Sequence, residues 1–541
     1  MRTATKRLIV LLCAVTLAAT GFNGIITATT SAPAAAVTGS DFRPGKIITD
    51  ELFYDSAALS AAEVQTFLNG KVASCTSGYT CLKSYRQTSG SRAADAYCKA
   101  YTGQTNETSA SIIYRVGKAC GVSQMVLLVL LQKEQGLVTS TAPTAEKYQK
   151  ATGYGCPDTA ACDSKYYGFF NQVYMAAWKY KVYRANPGNY NYQAGRSNYI
   201  LYNPDTDCGG SNVYIQNQAT AGLYTYTPYQ PNQAALNNLN GTGDSCSAYG
   251  NRNFWRYYNS WFGSTDAYPV HGAIGTVYRA LGGASGVLGV STSPERCGLK
   301  NSGCYQQFKG GSIHWTSKSG AHATRGAIRT EWQALGWENG FLGYPKGDQG
   351  CGLKDSGCYQ TFEGGGIHYS ANTDAHATRG KIRAAWEAQG WENGKLGYPK
   401  GDQGCGLKDS GCYQTFQGGS IHYSANTAAQ ITTGGIRSAW QASGWQDGPM
   451  GYPTSNEKCG LRDSGCYQSF QKGKIHWSSA SGAHLTKGAI QKAWAGTGWE
   501  NGRLRYPTTN EVCSSSTKCV QTFQGGTITW TSGKTPVIRY T

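Results

Sequence analysis

Apolar positions follow two different rules along the chain. Between residues 37 and 263 they come in blocks that never recur: SAAEVQTFLNG, VSQMVLLVLLQKEQGLV, YGFFNQVYMAAWKY and NRNFWRYYNSWFG. Each block predicts a helix. In the second, Ser123 is placed as N-cap, Met125, Leu128, Val129 and Gln132 line one face, and Gly136 stops the helix. From residue 272 onward the pattern repeats. Ile274, Ile328, Ile382, Ile436 and Ile490 are spaced by 54 residues, and Trp332, Trp386, Trp440 and Trp494 keep that step, with Tyr278 in the first unit. A fixed period sustained over five copies is the signature of a repeat architecture.

Within one unit, Ile328, Trp332 and Leu335 predict a short amphipathic helix stopped at Gly336. LGYP then makes a turn, and CYQTF and GIHYS predict a hairpin joined by glycines. Such a unit is too small to bury its own faces, so neighbours must stack. Five equal units fit either a closed ring or a short open array. The predicted fold class is therefore multidomain: a mainly α N-terminal domain followed by a five-unit α+β array.

The chain begins MRTATKRLIVLLCAVTLAA and reaches SAPAAAV by residue 37, the pattern of a secretory signal peptide cleaved near Ala34 to Ala36. The apolar run is shorter than a membrane span needs, which argues against an uncleaved anchor. Cleavage removes Cys13 and turns 19 cysteines into an even number, as suits an oxidising compartment. Ten of these form five local pairs: 297/304, 351/358, 405/412, 459/466 and 513/519. In the N-terminal half, close spacing suggests 75–81 and 156–162.

The turn signature reads LGVS, LGYP, LGYP, MGYP and LRYP at 288, 342, 396, 450 and 504. With the tryptophan spacing, it resembles the LGFP repeat family of actinobacterial cell-wall proteins. It departs at Val290-Ser291 and at Arg505. The resemblance implies attachment to envelope polysaccharide, with wall contact through Trp337, Tyr344, Trp391, Tyr398, Trp445 and Tyr452. Charge fits: the formal net charge is +18, and residues 270–541 hold 27 Lys and Arg against 16 Asp and Glu. A basic exported protein meets peptidoglycan and anionic wall polysaccharide; export and the lack of Lys/Arg blocks argue against nucleic acid. No stable membrane span is expected in the mature chain.

All eight histidines lie at or after position 271. The N-terminal half therefore has no histidine for a Ser or Cys triad, a zinc site or a general base. No metal or cofactor is expected. Chemistry there falls to a carboxylate, and Glu134 stands apart, in the last turn of the most apolar helix. Apolar neighbours and the helix dipole both disfavour its charge, which is what a general acid for glycosidic cleavage requires. The competing reading is a surface glutamate paired with Lys133.

A buried helix ending in Glu, a loop, and then Gly168, Phe169, Asn171 and Gln172 opening a further helix resembles the layout of lysozyme-like lytic transglycosylases. ATAGLYTYTPYQPN resembles that family's tyrosine-bearing motif. The resemblance spans about residues 110–263 and implies Glu134 as the sole acid. Asn171, Gln172, Tyr174, Tyr224 and Tyr226 are the candidate glycan contacts. If water attacked instead, Asp158, Asp163 or Glu146 would be the base. The expected organisation is a signal peptide at 1–36, an extension of the catalytic domain at 37–122, a lysozyme-like domain at 123–263, a linker at 264–271 and repeats at 272–541. The expected function is a secreted, wall-anchored peptidoglycan lytic enzyme, with a non-catalytic glycan-binding protein or adhesin as the alternative.

Overall fold

A computed structural model describes residues 37–157 and 160–541. The signal-peptide reading falls on residues 1–36 and Asp158 on the internal gap, so both lie outside the described residues. Among the described residues no helix is long and apolar enough to cross a membrane.

The N-terminal region is helical, built around the Gln124–Gln135 helix. Val126 through Leu131 are all buried, so this helix is enclosed on every side and not along the one stripe that the sequence suggested. The Ser109–Cys120 and Gly250–Phe262 helices pack on it. Ser123 occupies the N-cap position, but its hydroxyl is buried without a partner; Gly136 ends the helix in the left-handed conformation. Residues 37–122 share the core: Ile47, Phe53, Val64 and Leu68 join Leu128, Phe169, Leu223 and Phe254 in one cluster. Four disulfides tie the region: Cys75–Cys81, Cys98–Cys120, Cys156–Cys162 and Cys208–Cys246.

The C-terminal region holds five four-stranded antiparallel sheets, each with its strands in sequence order. The predicted hairpin is the centre of a larger meander. In the second unit, Gly357–Phe362 and Gly365–Ser370 are flanked by Gly350–Leu353 and Asp374–Thr378. The sequence reading missed the outer strands because they are short and glycine-rich or polar. Each local cysteine pair is a disulfide across two neighbouring strands, as in Cys351–Cys358. The helix Gly326–Ala334 sits on its own sheet and on the last strand of the preceding one. Ile328, Trp332, Leu342, Phe362 and Ile367 form a core of one unit, and each other unit has an equivalent.

Neighbouring units are stapled by two buried side chains. The Gln360 amide donates both to Ala323 O in the preceding unit and to Gly347 O in its own. The Tyr344 hydroxyl donates to Lys300 O of the preceding unit at 2.6 Å, and Tyr398, Tyr452 and Tyr506 repeat this bond. In the first unit the position is Val290, because no unit precedes it. No hydrogen bond, ion pair or aromatic contact joins the fifth unit to the first among the described residues, so nothing supports ring closure.

Candidate functional site

Glu134 lies one residue before the C-terminus of its helix, with its side chain 24% exposed. Its partner is the ammonium of Lys133, which is 2% exposed and also donates to Thr227 Oγ1 at 2.9 Å. The surroundings are not the apolar pocket that the sequence suggested. Tyr226 stacks on Tyr180 at 5.0 Å, and both hydroxyls are pushed well above the usual range, by burial first; the next cause is the nearby Glu134 charge for Tyr226 and the neighbouring tyrosines for Tyr180. Gly153 approaches from the facing loop at φ +70°, where a Cβ would lie 3.5 Å from Glu134 Oε2. The Tyr226 hydroxyl donates to Thr152 O at 2.7 Å and holds that loop in place. A half-open carboxylate with one fixed cation and the Tyr226 phenol beside it can accept a hydrogen bond from a sugar hydroxyl, and it can protonate an oxygen only after the ion pair opens and the carboxylate takes up a proton.

The other candidates divide by burial. Gln172 is fully buried and presents nothing to a ligand. Its amide accepts from Thr152 N and Tyr154 N and donates to Tyr154 O and Tyr166 O, which fixes the loop beside Glu134. It is a positioning residue, not the substrate contact expected from the motif. Tyr224 is buried as well and donates to Pro44 O, so it too is corrected to a core residue. Tyr174 is buried beside Phe170 and Tyr101, under the Arg92 guanidinium. Asn171 is half-buried and spends its amide on Arg92 and Tyr167 O. Tyr226 alone among these five stands next to Glu134. Asp163 and Glu146 sit in exposed ion pairs with Lys165 and Lys150. The Lys133 pairing is the one that the competing sequence reading named; Thr152 and Gly153 were missed, since nothing in their spacing marks them.

The repeats present a second candidate site four times. Tyr344, Tyr398 and Tyr452, expected at the wall, are fully buried staples and cannot reach it. Trp337, Trp391 and Trp445 are half-exposed. Each lies across a junction. Trp337 stacks on His314 of the preceding unit at 5.8 Å, His314 stacks on Tyr305 at 5.3 Å, and Trp332 meets His314 edge-on at 4.6 Å. The same set recurs as Tyr359–His368–Trp391, Tyr413–His422–Trp445 and Tyr467–His476–Trp499. Burial holds the four imidazoles at a pKa of about 3, so they are neutral spacers in the stack. A cation caps each indole: Arg329, Arg383 and Arg437 lie 4.9, 4.6 and 5.1 Å from the ring centroids, and Lys474 4.5 Å from that of Trp499.

Comparison with known proteins separates the two regions. The LGFP repeat family matches residues 288–340, 342–394, 396–448 and 450–502. Each matched segment runs from the sheet of one unit into the helix of the next, so it contains one complete Tyr–His–Trp junction. No curated protein matches the chain. Similar solved structures include a 2S albumin seed protein from Dolichos, at 11% identity over 35% of this chain and 89% of that one. Another is a plant lectin with two metal binding sites from Cicer arietinum, at 10% identity over 37% and 92%. Both have a TM-score of 0.11, which carries no structural argument. The C-terminal region of the chain thus carries four LGFP repeats, and these suggest a cell-wall-associated protein.

Proposed function

We propose that the protein is a secreted, wall-attached glycan-processing enzyme. The repeat array holds it on peptidoglycan and anionic wall polysaccharide, and a lysozyme-like N-terminal domain cleaves glycosidic bonds with Glu134 as general acid. The LGFP repeats, nine disulfides and absence of a membrane-spanning helix among the described residues fit an extracellular location. The observation that carries the catalytic part is the placement of Glu134. It is a single half-open carboxylate at the end of the most deeply buried helix, faced by Tyr226 and the Thr152–Gly153 backbone.

The carboxyl would protonate the glycosidic oxygen as the bond breaks, and the sugar's own hydroxyl or acetamido group would attack the anomeric carbon. Lys133 would then hold the carboxylate that remains. The test is release of soluble muropeptides from purified sacculi by the mature protein and by Glu134→Gln. Release by the wild type alone supports the proposal. Equal release, or none from either protein, removes the catalytic role. One observation favours a second reading. The Glu134 carboxylate is engaged by the buried Lys133 ammonium, which suits a domain that binds glycan without turnover.

A further inference from the structure

The five units act as internal controls on one another. The fifth unit has Val520 at the tyrosine position and Thr529 at the histidine position of the junction stack. The first has Tyr278, Gly283 and Gly275 where the second has Trp332, Trp337 and Arg329. The elements of the stack are therefore absent together, on the N-terminal side of the first unit and on the C-terminal side of the fifth. For histidine and tryptophan, packing explains this, because each touches the other. Packing explains the tyrosine less well: the ring stacks on the histidine of its own unit and lies at the surface, 38% exposed at Tyr359 and 37% at Tyr413, with Tyr305 and Tyr467 half-buried. A ring at the rim contributes less to packing than a buried one, yet it is present only where the tryptophan across the junction is present.

The tryptophan position points the same way. Trp337, Trp391, Trp445 and Trp499 adopt φ of 54–56°, a left-handed backbone that bulky residues rarely take. Gly283 adopts φ 58° at the same place in the first unit, where glycine is free to do so. Four units thus hold an indole in a strained conformation that the first relieves. Strain that persists in this way is a ground for seeking a function at the indole.

The cation is kept by a double exchange. In the third junction Arg437 comes from the helix and its Nε donates to Ser420 Oγ at 2.9 Å. In the fourth, the corresponding positions are Gln491 and Lys474, and Lys474 reaches over both Tyr467 and Trp499. The charge has moved from helix to strand but stays over the indole. Among the described residues none of these four cations forms a salt bridge. Beside Arg329 lies a cleft of about 280 Å³ whose lining includes Lys309, Gly326 and Thr330; beside Arg437 lies one of about 510 Å³ whose lining includes Lys400, Gly434 and Ser438. Neither cleft contains a carboxylate.

We infer that each of the four junctions is a binding site for an anionic saccharide, shared between two units, with the sugar ring against the tyrosine and tryptophan rims and its carboxylate or phosphate beside the Arg or Lys. This rests on the reading of the array as the glycan-binding part and adds the ligand's charge, the site's composition and its number. Five units give four sites, and no unit has one alone. Four sites on one array give avidity that falls stepwise as sites are removed.

The test uses the full mature chain. Tryptophan fluorescence and calorimetry are followed with an oligogalacturonide, with poly(glycerol phosphate) and with a neutral chito-oligosaccharide. The expected result is binding of one or both anionic probes, weakened by salt, with the neutral probe at least about tenfold weaker. Which anionic probe binds identifies the source of the charge. Replacing Tyr305, Tyr359, Tyr413 and Tyr467 with alanine should leave the melting temperature unchanged and weaken binding by at least about tenfold. Replacing Arg329, Arg383, Arg437 and Lys474 with glutamine should do the same while keeping every ring. Binding by both variants at wild-type strength overturns the site, as does equal binding of the neutral probe or no binding of any probe by the wild type. Sedimentation with cell walls separates this from the broader reading. If the tyrosine variant pellets as well as the wild type, the junction site fails and wall attachment stands. If the wild type binds the soluble probe but never pellets, wall attachment fails and the junction site stands.

Discussion

The two halves of this chain bury their apolar residues in opposite ways. Residues 37–263 close a single core around one helix, with contributions from Phe42 to Tyr258. Residues 272–541 divide into five small cores, joined only by neighbour contacts. In the first region every residue occurs once, and its role has to be read from its own surroundings. In the second each position occurs five times, so a change at the end of the array reports what that position does in the middle. Val290, Gly283, Val520 and Thr529 are informative for this reason.

The largest expected effect lies in the single-copy region. Glu134→Gln should lower muropeptide release about 10²- to 10⁴-fold, the usual contribution of a general acid, with wall binding intact. An unchanged rate would leave that region as a binding domain and make the two halves alike in function. Next comes the independence of the small cores. Trp386→Ala empties the core of one unit and should destabilise the array by about 3–5 kcal/mol in denaturant unfolding. The transition of the N-terminal core should not move. If both regions lose stability together, they are not separate in the way their cores imply.

A graded effect follows from the junction histidines. Burial depresses all four to a pKa of about 3, against about 6.5 unfolded. The folded array binds fewer protons than the unfolded chain between those values. The contribution of these four histidines is therefore complete above about pH 6.5 and falls as pH drops toward 3, by about 1.4 kcal/mol per pH unit for each. Thermal melts from pH 7 to 4 should show this in the array. The N-terminal region has no histidine and should lack this contribution, so equal falls in the two regions would count against the buried-imidazole account. The smallest effect is at the staples. Tyr398→Phe removes only the hydroxyl bond to Lys354 O and should cost about 1 kcal/mol.

Much of this was legible in the sequence, and the losses have physical reasons. The 54-residue period, the ten paired cysteines and the N-terminal helices follow from spacing alone. The fourth strand of each sheet does not, because sequences such as AHATR carry little apolar signal. The tyrosines of LGYP read as surface aromatics, yet their hydroxyls face a carbonyl of the neighbouring unit, a partner that no single unit shows. In the N-terminal half the motif placed Gln172 and Tyr224 at a ligand, whereas burial assigns both to fixing backbone. Lys133 is the chain neighbour of Glu134 and its pairing was legible, whereas Thr152 and Gly153 reach Glu134 and Tyr226 through the fold and leave no trace in spacing. The junction stack was missed because its members lie 9, 18 and 5 residues apart and join only when two units meet.

The central claim, that the array holds the protein on the wall through half-exposed junction tryptophans, is tested most directly by co-sedimentation. The full mature chain and its Trp337→Ala, Trp391→Ala, Trp445→Ala triple variant are mixed with purified cell walls, and the bound fraction is measured. The wild type should pellet with the walls, and the folded variant should stay mostly in solution. A wild type that stays in solution, or a variant that pellets equally well, would contradict it.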